Sequence, residues 1–271
     1  MTAERKDTWA AGKLYEPYVG RWSRLVAKDF LAWLAMPPNL DWLDVGCGTG
    51  ALTEAILKHA KPLSVKGMDP SAGFIEHAKA HITDPRATFD VADAQSLPLE
   101  SARFGTAVAG LVLNFVPKPF LAVREMARAV RADGVVAVYV WDYAGKMQLM
   151  RYFWDAAVEL DKGAFELDEG RRFPLCQPDA LAGLFAQAGL HEVQVRPIDI
   201  PTRFRDFNDY WTPFLGGQAP APGYAMSLSE ERRAALRERI RAKLPIASDG
   251  SIDLIARAWA VRGRTPTHEQ S

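Results

Sequence analysis

Asp41-Trp42-Leu43-Asp44-Val45-Gly46-Cys47-Gly48-Thr49-Gly50 is the stretch that decides the fold. Leu43 and Val45 are apolar strand positions. Three glycines at alternate positions then allow a sharp turn and let the backbone approach a ligand without a Cβ in the way. The residues that follow, Ala51-Leu52-Thr53-Glu54-Ala55-Ile56-Leu57-Lys58, have helical spacing and are good helix formers. A buried strand, a glycine turn and a helix therefore come in sequence.

The same residues fit Gly46-x-Gly48-x-x-Ala51, the alanine form of the dinucleotide fingerprint, so glycine spacing alone leaves the ligand open. Asp44 discriminates. A carboxylate two residues before the loop would face the diphosphate of a nicotinamide cofactor, and unit charges roughly 5 Å apart at an effective dielectric of about 20 repel by ~3 kcal/mol. A ligand carrying an ammonium and a sulfonium reverses that sign. Leu43-Asp44-Val45-Gly46-Cys47-Gly48-Thr49-Gly50 closely resembles the first motif of class I S-adenosylmethionine-dependent methyltransferases. Within that class the chain looks most like the type 11 and ubiquinone–menaquinone methyltransferase group. The resemblance runs from about Tyr18 to Val140 and, in outline, through the C-terminal strands. It implies an α/β fold: a Rossmann-like seven-stranded sheet, mostly parallel with a terminal reversed hairpin, plus helical lid insertions. The cofactor it implies is S-adenosyl-L-methionine.

A chain of 271 residues can bury a full core and is somewhat long for one minimal doubly wound domain, so insertions are expected. We read residues 1–271 as a single domain with an N-terminal helical cap at 13–36 and helical insertions at 144–178 and 202–250. Lys plus Arg and Asp plus Glu both total 33, which gives a nucleic-acid partner no electrostatic footing. Cys47 and Cys176 form neither a disulfide framework nor a zinc spacing and suit a reducing cytosol. Residues 1–12 are polar, lack a signal-peptide core, and are expected to stay mobile until something docks on them; no later apolar run reaches membrane-spanning length. A soluble cytoplasmic protein with a small-molecule partner is the expectation.

The resemblance also assigns cofactor residues. Asp44, Gly46, Cys47, Gly48 and Gly50 form the loop. Leu63 to Met68 reads as a second strand, followed by Asp69 and by Pro70 in the first turn of a helix. An acid at this strand tip can accept hydrogen bonds from both ribose hydroxyls, or can cap the helix that begins near Ser71. Ala87 to Val91 reads as a third strand; Asp93 and Ala94 match the acid and small residue that hold the adenine amino group. Thr106 to Leu113 has the continuous apolar character of a strand covered on both faces. Gly110 and Leu111 there match the backbone that meets the methionine end. Phe104-Gly105 departs from the aromatic–Asp pair usual in the family, and Asn114-Phe115-Val116-Pro117 lacks the Asn-Pro-Pro-aromatic box of amide and nucleobase N-methylases.

Acceptor-pocket candidates are Tyr18 and Arg21, beside Trp22 on an N-terminal helix like the one that covers the cofactor in many small-molecule methyltransferases, together with Asn114, Trp141, Asp142 and Tyr143, which follow strands four and five. Ligands of open α/β sheets bind outside the carboxyl ends of the strands. Trp211 joins them from the 202–250 insertion, where Phe204, Phe207, Trp211 and Phe214 fall on one helical face and Gly216-Gly217, Pro220 and Pro222 break the chain behind. Ser227-Leu228-Ser229-Glu230 reads as a capping box for the next helix. The insertion reads as a lid; a homodimer surface is the competing account. His59, His77, His81, His191 and His268 fall away from the strand tips, so no catalytic histidine is assigned, and no cluster has metal-ligand spacing. A noncatalytic S-adenosylmethionine-binding protein would retain the same cofactor residues. A nicotinamide oxidoreductase would leave Asp44 and Asp93-Ala94 without a role.

Overall fold

The computed structural model describes residues 20–217 and 219–267. Tyr18, the start of the predicted cap and His268 lie outside the described residues. The strands β1 (Asp41–Val45), β2 (Ser64–Asp69), β3 (Ala87–Val91), β4 (Phe104–Gly110), β5 (Val130–Trp141), β6 (His191–Phe204) and β7 (Ile252–Arg264) form one sheet in the order β3-β2-β1-β4-β5-β7-β6. Pairings β1–β2, β1–β4, β2–β3 and β4–β5 are parallel, and β7 runs antiparallel to β5. β1 pairs on both sides within the sheet, and Trp42, Leu43, Asp44 and Val45 are all buried, so both of its faces are covered.

The chain forms two compact units. One gathers Ser23–Trp141, Leu175–Ile198 and the residues from Ala258 onward. It contains β1 to β5, the helices α1 (Arg21–Leu34, from Ser23), α2 (Ala51–His59), α3 (Ala72–His81) and α4 (Pro119–Ala129), and the helix Pro178–Gln187. Gly189 follows that last helix in the left-handed region at φ 84°, where a glycine closes a helix without the cost a side chain would bring. The other unit gathers the described residues up to Trp22, Asp142–Pro174 and Asp199–Arg257. Its core is aromatic. Phe153 on α5 (Gln148–Leu160) stacks on Phe214 at 4.6 Å, and Tyr210 is fully buried with its hydroxyl donating to the Leu149 carbonyl at 2.7 Å. Leu236 and Ile240 on the helix Glu230–Lys243 are buried as their spacing predicts.

Several boundaries differ from the expectations. β4 stops at Gly110 rather than Leu113, because Leu111 turns into the left-handed region at φ 60° and Leu113–Phe115 forms a 3₁₀ turn. The helix pattern of Phe120 to Val130 and the turn pattern of Ala132-Asp133-Gly134 predict a strand only from Val135, whereas β5 starts at Val130 and absorbs the turn residues, with a register shift against β4 where Asp133 takes φ 57°. Phe204 ends β6 instead of joining a helix with Phe207, Trp211 and Phe214, although all four are buried. Pro220 and Pro222 do not break the chain: Pro220 opens the helix Pro220–Ser227, where the missing N–H groups of first-turn prolines would be unpaired anyway. The cap of Glu230–Lys243 is Ser229, which accepts from Arg232 N at 3.3 Å, while the Ser227 hydroxyl turns back to the Tyr224 carbonyl.

Candidate cofactor-binding site

The turn after β1 is built by backbone hydrogen bonds that leave little freedom. Gly46 N and Cys47 N both donate to the Met68 carbonyl, at 2.7 and 3.0 Å, and Gly50 N donates to the Cys47 carbonyl at 2.9 Å. Gly46, Gly48 and Gly50 take φ values of 71°, 55° and 97°, a region that costs an L side chain energy. A Cβ on Gly46 would also lie 2.6 Å from the Val112 methyls, whereas one on Gly48 would meet nothing within 4 Å. Gly48 thus fronts open space, as a backbone that receives a ligand must.

Asp69, at the end of β2, reaches back to this loop. Its Oδ2 accepts from Gly48 N at 3.0 Å and its Oδ1 from Ser71 N at 2.8 Å, which leaves lone pairs on both oxygens for further donors. Burial raises its pKa against the pull of those two hydrogen bonds. Asp69 is not the helix cap: Ser71, extended at φ −88°, accepts from Phe74 N, and exposed Pro70 precedes the cap rather than lying in the first turn.

Asp44 is fully buried beneath the loop. Thr53 Oγ1 donates to its Oδ2 at 2.6 Å while Oδ1 has no partner among the described residues, and burial raises its pKa to about 7. Sequence spacing places Thr53 in the helix but gives it no role in the site; its place three residues beyond Gly50 was the available signal. Cys47 enters the loop only through its backbone. Its side chain packs with Ile75, Ala78, Ile82 and Phe89, and burial pushes its thiol pKa up, so it is no nucleophile.

Asp93 is exposed and its Oδ1 accepts from Gln95 N at 2.9 Å, with buried Ala94 beside it. Gly110 has no room for a side chain, since a Cβ would lie 2.7 Å from Tyr139 Cζ, and Leu111 N donates to the Tyr139 carbonyl at 2.8 Å. Asn114 follows in the 3₁₀ turn with both amide atoms buried and, among the described residues, unpartnered.

The other acceptor candidates have visible structural work. Trp141 is buried in β5. Asp142 accepts from Gly145 N and Lys146 N at 3.0 and 2.9 Å and so holds a turn, while buried Tyr143 packs on Phe173. Trp211 is buried with its ring 6.0 Å from Phe214, and Arg21 pairs with Asp209 at 3.0 Å. A cavity of about 600 Å³ in the same unit, lined by Gln148, Arg151, Tyr152, Asp155, Asp168 and Arg171, was not foreseen; Arg151 and Asp168 meet only through folding. Its charge is answered within its own walls by the Arg151–Asp168 pair.

Among the described residues there is no group of His, Cys, Asp and Glu that could hold a metal ion, and no helix long and apolar enough to cross a membrane. His77 and His81 stack on the exposed side of α3, and His191 Nε2 lies 3.1 Å from the Thr265 carbonyl.

Strand order, glycine loop and the acid on the second strand are those of the class I S-adenosylmethionine-dependent methyltransferase fold, and the loop residues suit that cofactor. Residues 43–138 match the family model described as a methyltransferase domain. The chain is 33% identical over 110 residues to a ubiquinone/menaquinone biosynthesis C-methyltransferase of Campylobacter jejuni, covering 39% of this chain and 46% of that one. It therefore spans about half the length of this curated relative. Its fold is shared with a Bacillus halodurans protein, with a TM-score of 0.60 at 16% identity over 89% of this chain and 99% of that one. It is shared also with a phosphoethanolamine N-methyltransferase of Haemonchus contortus in complex with S-adenosylhomocysteine, with a TM-score of 0.59 at 15% identity over 94% of this chain and 57% of that one.

Proposed function

We propose that this chain transfers a methyl group from S-adenosylmethionine to a small acceptor with an apolar or aromatic body. The observation that carries the reading is the Gly48–Asp69 hydrogen bond, which joins the open glycine turn to a strand-tip carboxylate with lone pairs to spare. Asp69 would accept from the ribose hydroxyls, Asp93 and Ala94 would hold the adenine, and Gly110 and Leu111 would lie along the methionine end. The unpartnered Oδ1 of Asp44 favours a positively charged neighbour over a diphosphate.

S-adenosylmethionine supplies a methyl carbon made electrophilic by its sulfonium. The protein's own task is then to align the acceptor and exclude water, and no general base is obligatory. Asn114 is suited to orient an acceptor, because an amide with both atoms buried and unpartnered has one donor group and one acceptor group to give. The curated relative acts, by its name, in ubiquinone and menaquinone biosynthesis, and a quinone-like ring is an acceptor of the proposed kind. The reaction needs neither a metal nor a histidine base, so turnover survives EDTA and single replacement of each histidine.

Isothermal titration against S-adenosylhomocysteine and NADH tests the cofactor half. Tight NADH binding without a response to S-adenosylhomocysteine overturns it. Incubation with methyl-labelled S-adenosylmethionine and a panel of phenols and hydroquinones tests the transfer. Cofactor binding with no labelled product from any acceptor class would favour a noncatalytic protein.

A further inference from the structure

Two buried acids flank the glycine loop, and they are held very differently. Asp69 accepts a backbone N–H at each of its oxygens, from Gly48 and from Ser71, so its negative charge is answered on both sides. Asp44 is fully buried and takes the Thr53 hydroxyl at Oδ2, while its Oδ1 has no partner among the described residues.

Nothing packed around Asp44 offsets its charge. In the sheet it lies opposite Gly67 on β2 and Val108 on β4, neither of which has a polar side chain. The loop brings up the Cys47 thiol, and β2 ends in Asp69, a second negative charge. Of α2, Thr53 reaches it, whereas the titratable residues Glu54, Lys58 and His59 are exposed. No cation is among the groups that shift its ionisation. Burial of this kind favours the neutral acid, and the pKa rises to about 7. A proton is thus held at neutral pH two residues before a loop that fronts open space at Gly48.

A cation bound over that loop reverses the preference: it favours the carboxylate, and the proton leaves to solvent. S-adenosylmethionine carries one more positive charge than its product, because loss of the methyl group turns the sulfonium into an uncharged thioether. We propose that Asp44 is the residue by which the loop distinguishes the charged cofactor from its spent form. It gives up its proton when S-adenosylmethionine binds and takes one back from solvent once the thioether is left, and Thr53 is the positioning residue that holds it for this exchange. The inference rests on the methyltransferase reading, because that reading is what brings a sulfonium to the loop.

Titration calorimetry of the full chain with S-adenosylmethionine and with S-adenosylhomocysteine, in phosphate and in Tris at pH 7, counts the protons released on binding. S-adenosylmethionine releases about half a proton, the share of Asp44 protonated at that pH, and S-adenosylhomocysteine releases less. From pH 6 to pH 8 the preference for S-adenosylmethionine over S-adenosylhomocysteine rises by about threefold or more, relative to Asp44→Asn, in which only the ligands' own groups titrate. Thr53→Val removes the hydroxyl that favours the carboxylate, so the pH at which the preference changes moves up by about one unit. A merely structural Thr53 would weaken both ligands alike and leave that midpoint in place, which would strike it from the proposal. Should Asp44→Asn fail to fold, the displaced midpoint in Thr53→Val carries the test. Both ligands binding with equal proton release, and with a preference that does not change with pH, overturns the inference and leaves the methyltransferase reading standing. Binding of neither ligand refutes that reading, and the inference with it.

Discussion

Thr53 Oγ1 donates to Asp44 Oδ2 at 2.6 Å beneath the glycine loop, and it is the hydrogen bond that keeps a fully buried carboxylate in place. The carboxylate belongs to β1 and the hydroxyl to α2, so the bond ties the two elements that flank the turn. Thr53→Val keeps the side-chain shape and removes the donor. It should destabilise the protein by about 1–3 kcal/mol at pH 8, where Asp44 is charged, and by less at pH 5, where a group with a pKa of about 7 is protonated. Urea unfolding at the two pH values checks this; an equal loss at both would mean that the bond does not serve the charged form.

Glu169 is a second buried carboxyl, in the unit that holds α5, where the Trp154 indole donates to it. Burial raises its pKa from 4.5 to about 7, with Asp168 adding to the rise and Trp154 and Arg172 opposing it. Because the folded pKa lies above the unfolded one, the folded state binds more protons between those values. This residue's contribution to stability therefore falls as pH rises from about 4.5 to about 7. Glu169→Gln keeps an acceptor for Trp154 and removes the charge. It should raise stability at pH 8 by roughly 2–3 kcal/mol and flatten the pH dependence, with a slope left from Asp44. Thermal melts from pH 5 to 8 measure both, and a variant less stable than wild type at pH 8 would refute the account.

Asp69→Ala removes the carboxylate that Gly48 N and Ser71 N share. Charge-assisted hydrogen bonds worth about 1.5–3 kcal/mol should be lost, so S-adenosylhomocysteine should bind roughly tenfold more weakly or worse. Titration calorimetry reads this directly. Unchanged affinity would reduce Asp69 to a brace for the loop.

Trp211 is 5% exposed and packs against Phe214 in the aromatic core of its unit. Trp211→Ala should open a cavity and cost about 3–5 kcal/mol in chemical denaturation. A loss below about 1 kcal/mol would show that the ring is not part of a packed core and would return it to the list of acceptor contacts.

The turn on which the proposed cofactor site is built was legible in the chain. Glycines at alternate positions after an apolar strand, an acid after the next strand and an acid with a small residue after the third are local patterns, each set by the dihedral or the hydrogen bond that its own position requires. Strand ends were less so. β4 stopping at Gly110 and β5 starting at Val130 depend on the register between two strands, and Phe204 was drawn from a helix pattern into β6 by pairing that no local spacing records.

The sequence by itself marked the fold class and pointed to S-adenosylmethionine as the ligand, because the strand, the glycine turn and the helix that follow one another at Asp41–Lys58 are short segments whose chemistry is complete within a few residues. Only the tertiary structure decided which polar groups are already spent and which are still open. Asp142 and Trp211, promising as sequence, are occupied by a turn and by a core. The amide of Asn114, the Oδ1 of Asp44 and the Nε and Nη2 atoms of Arg21 are buried without partners among the described residues. The physical reason is that a hydrogen bond is a relation between two atoms. Asp209 lies 188 residues from Arg21, and until folding brings the two together nothing in the chain shows that one edge of the guanidinium will be taken and the other left free.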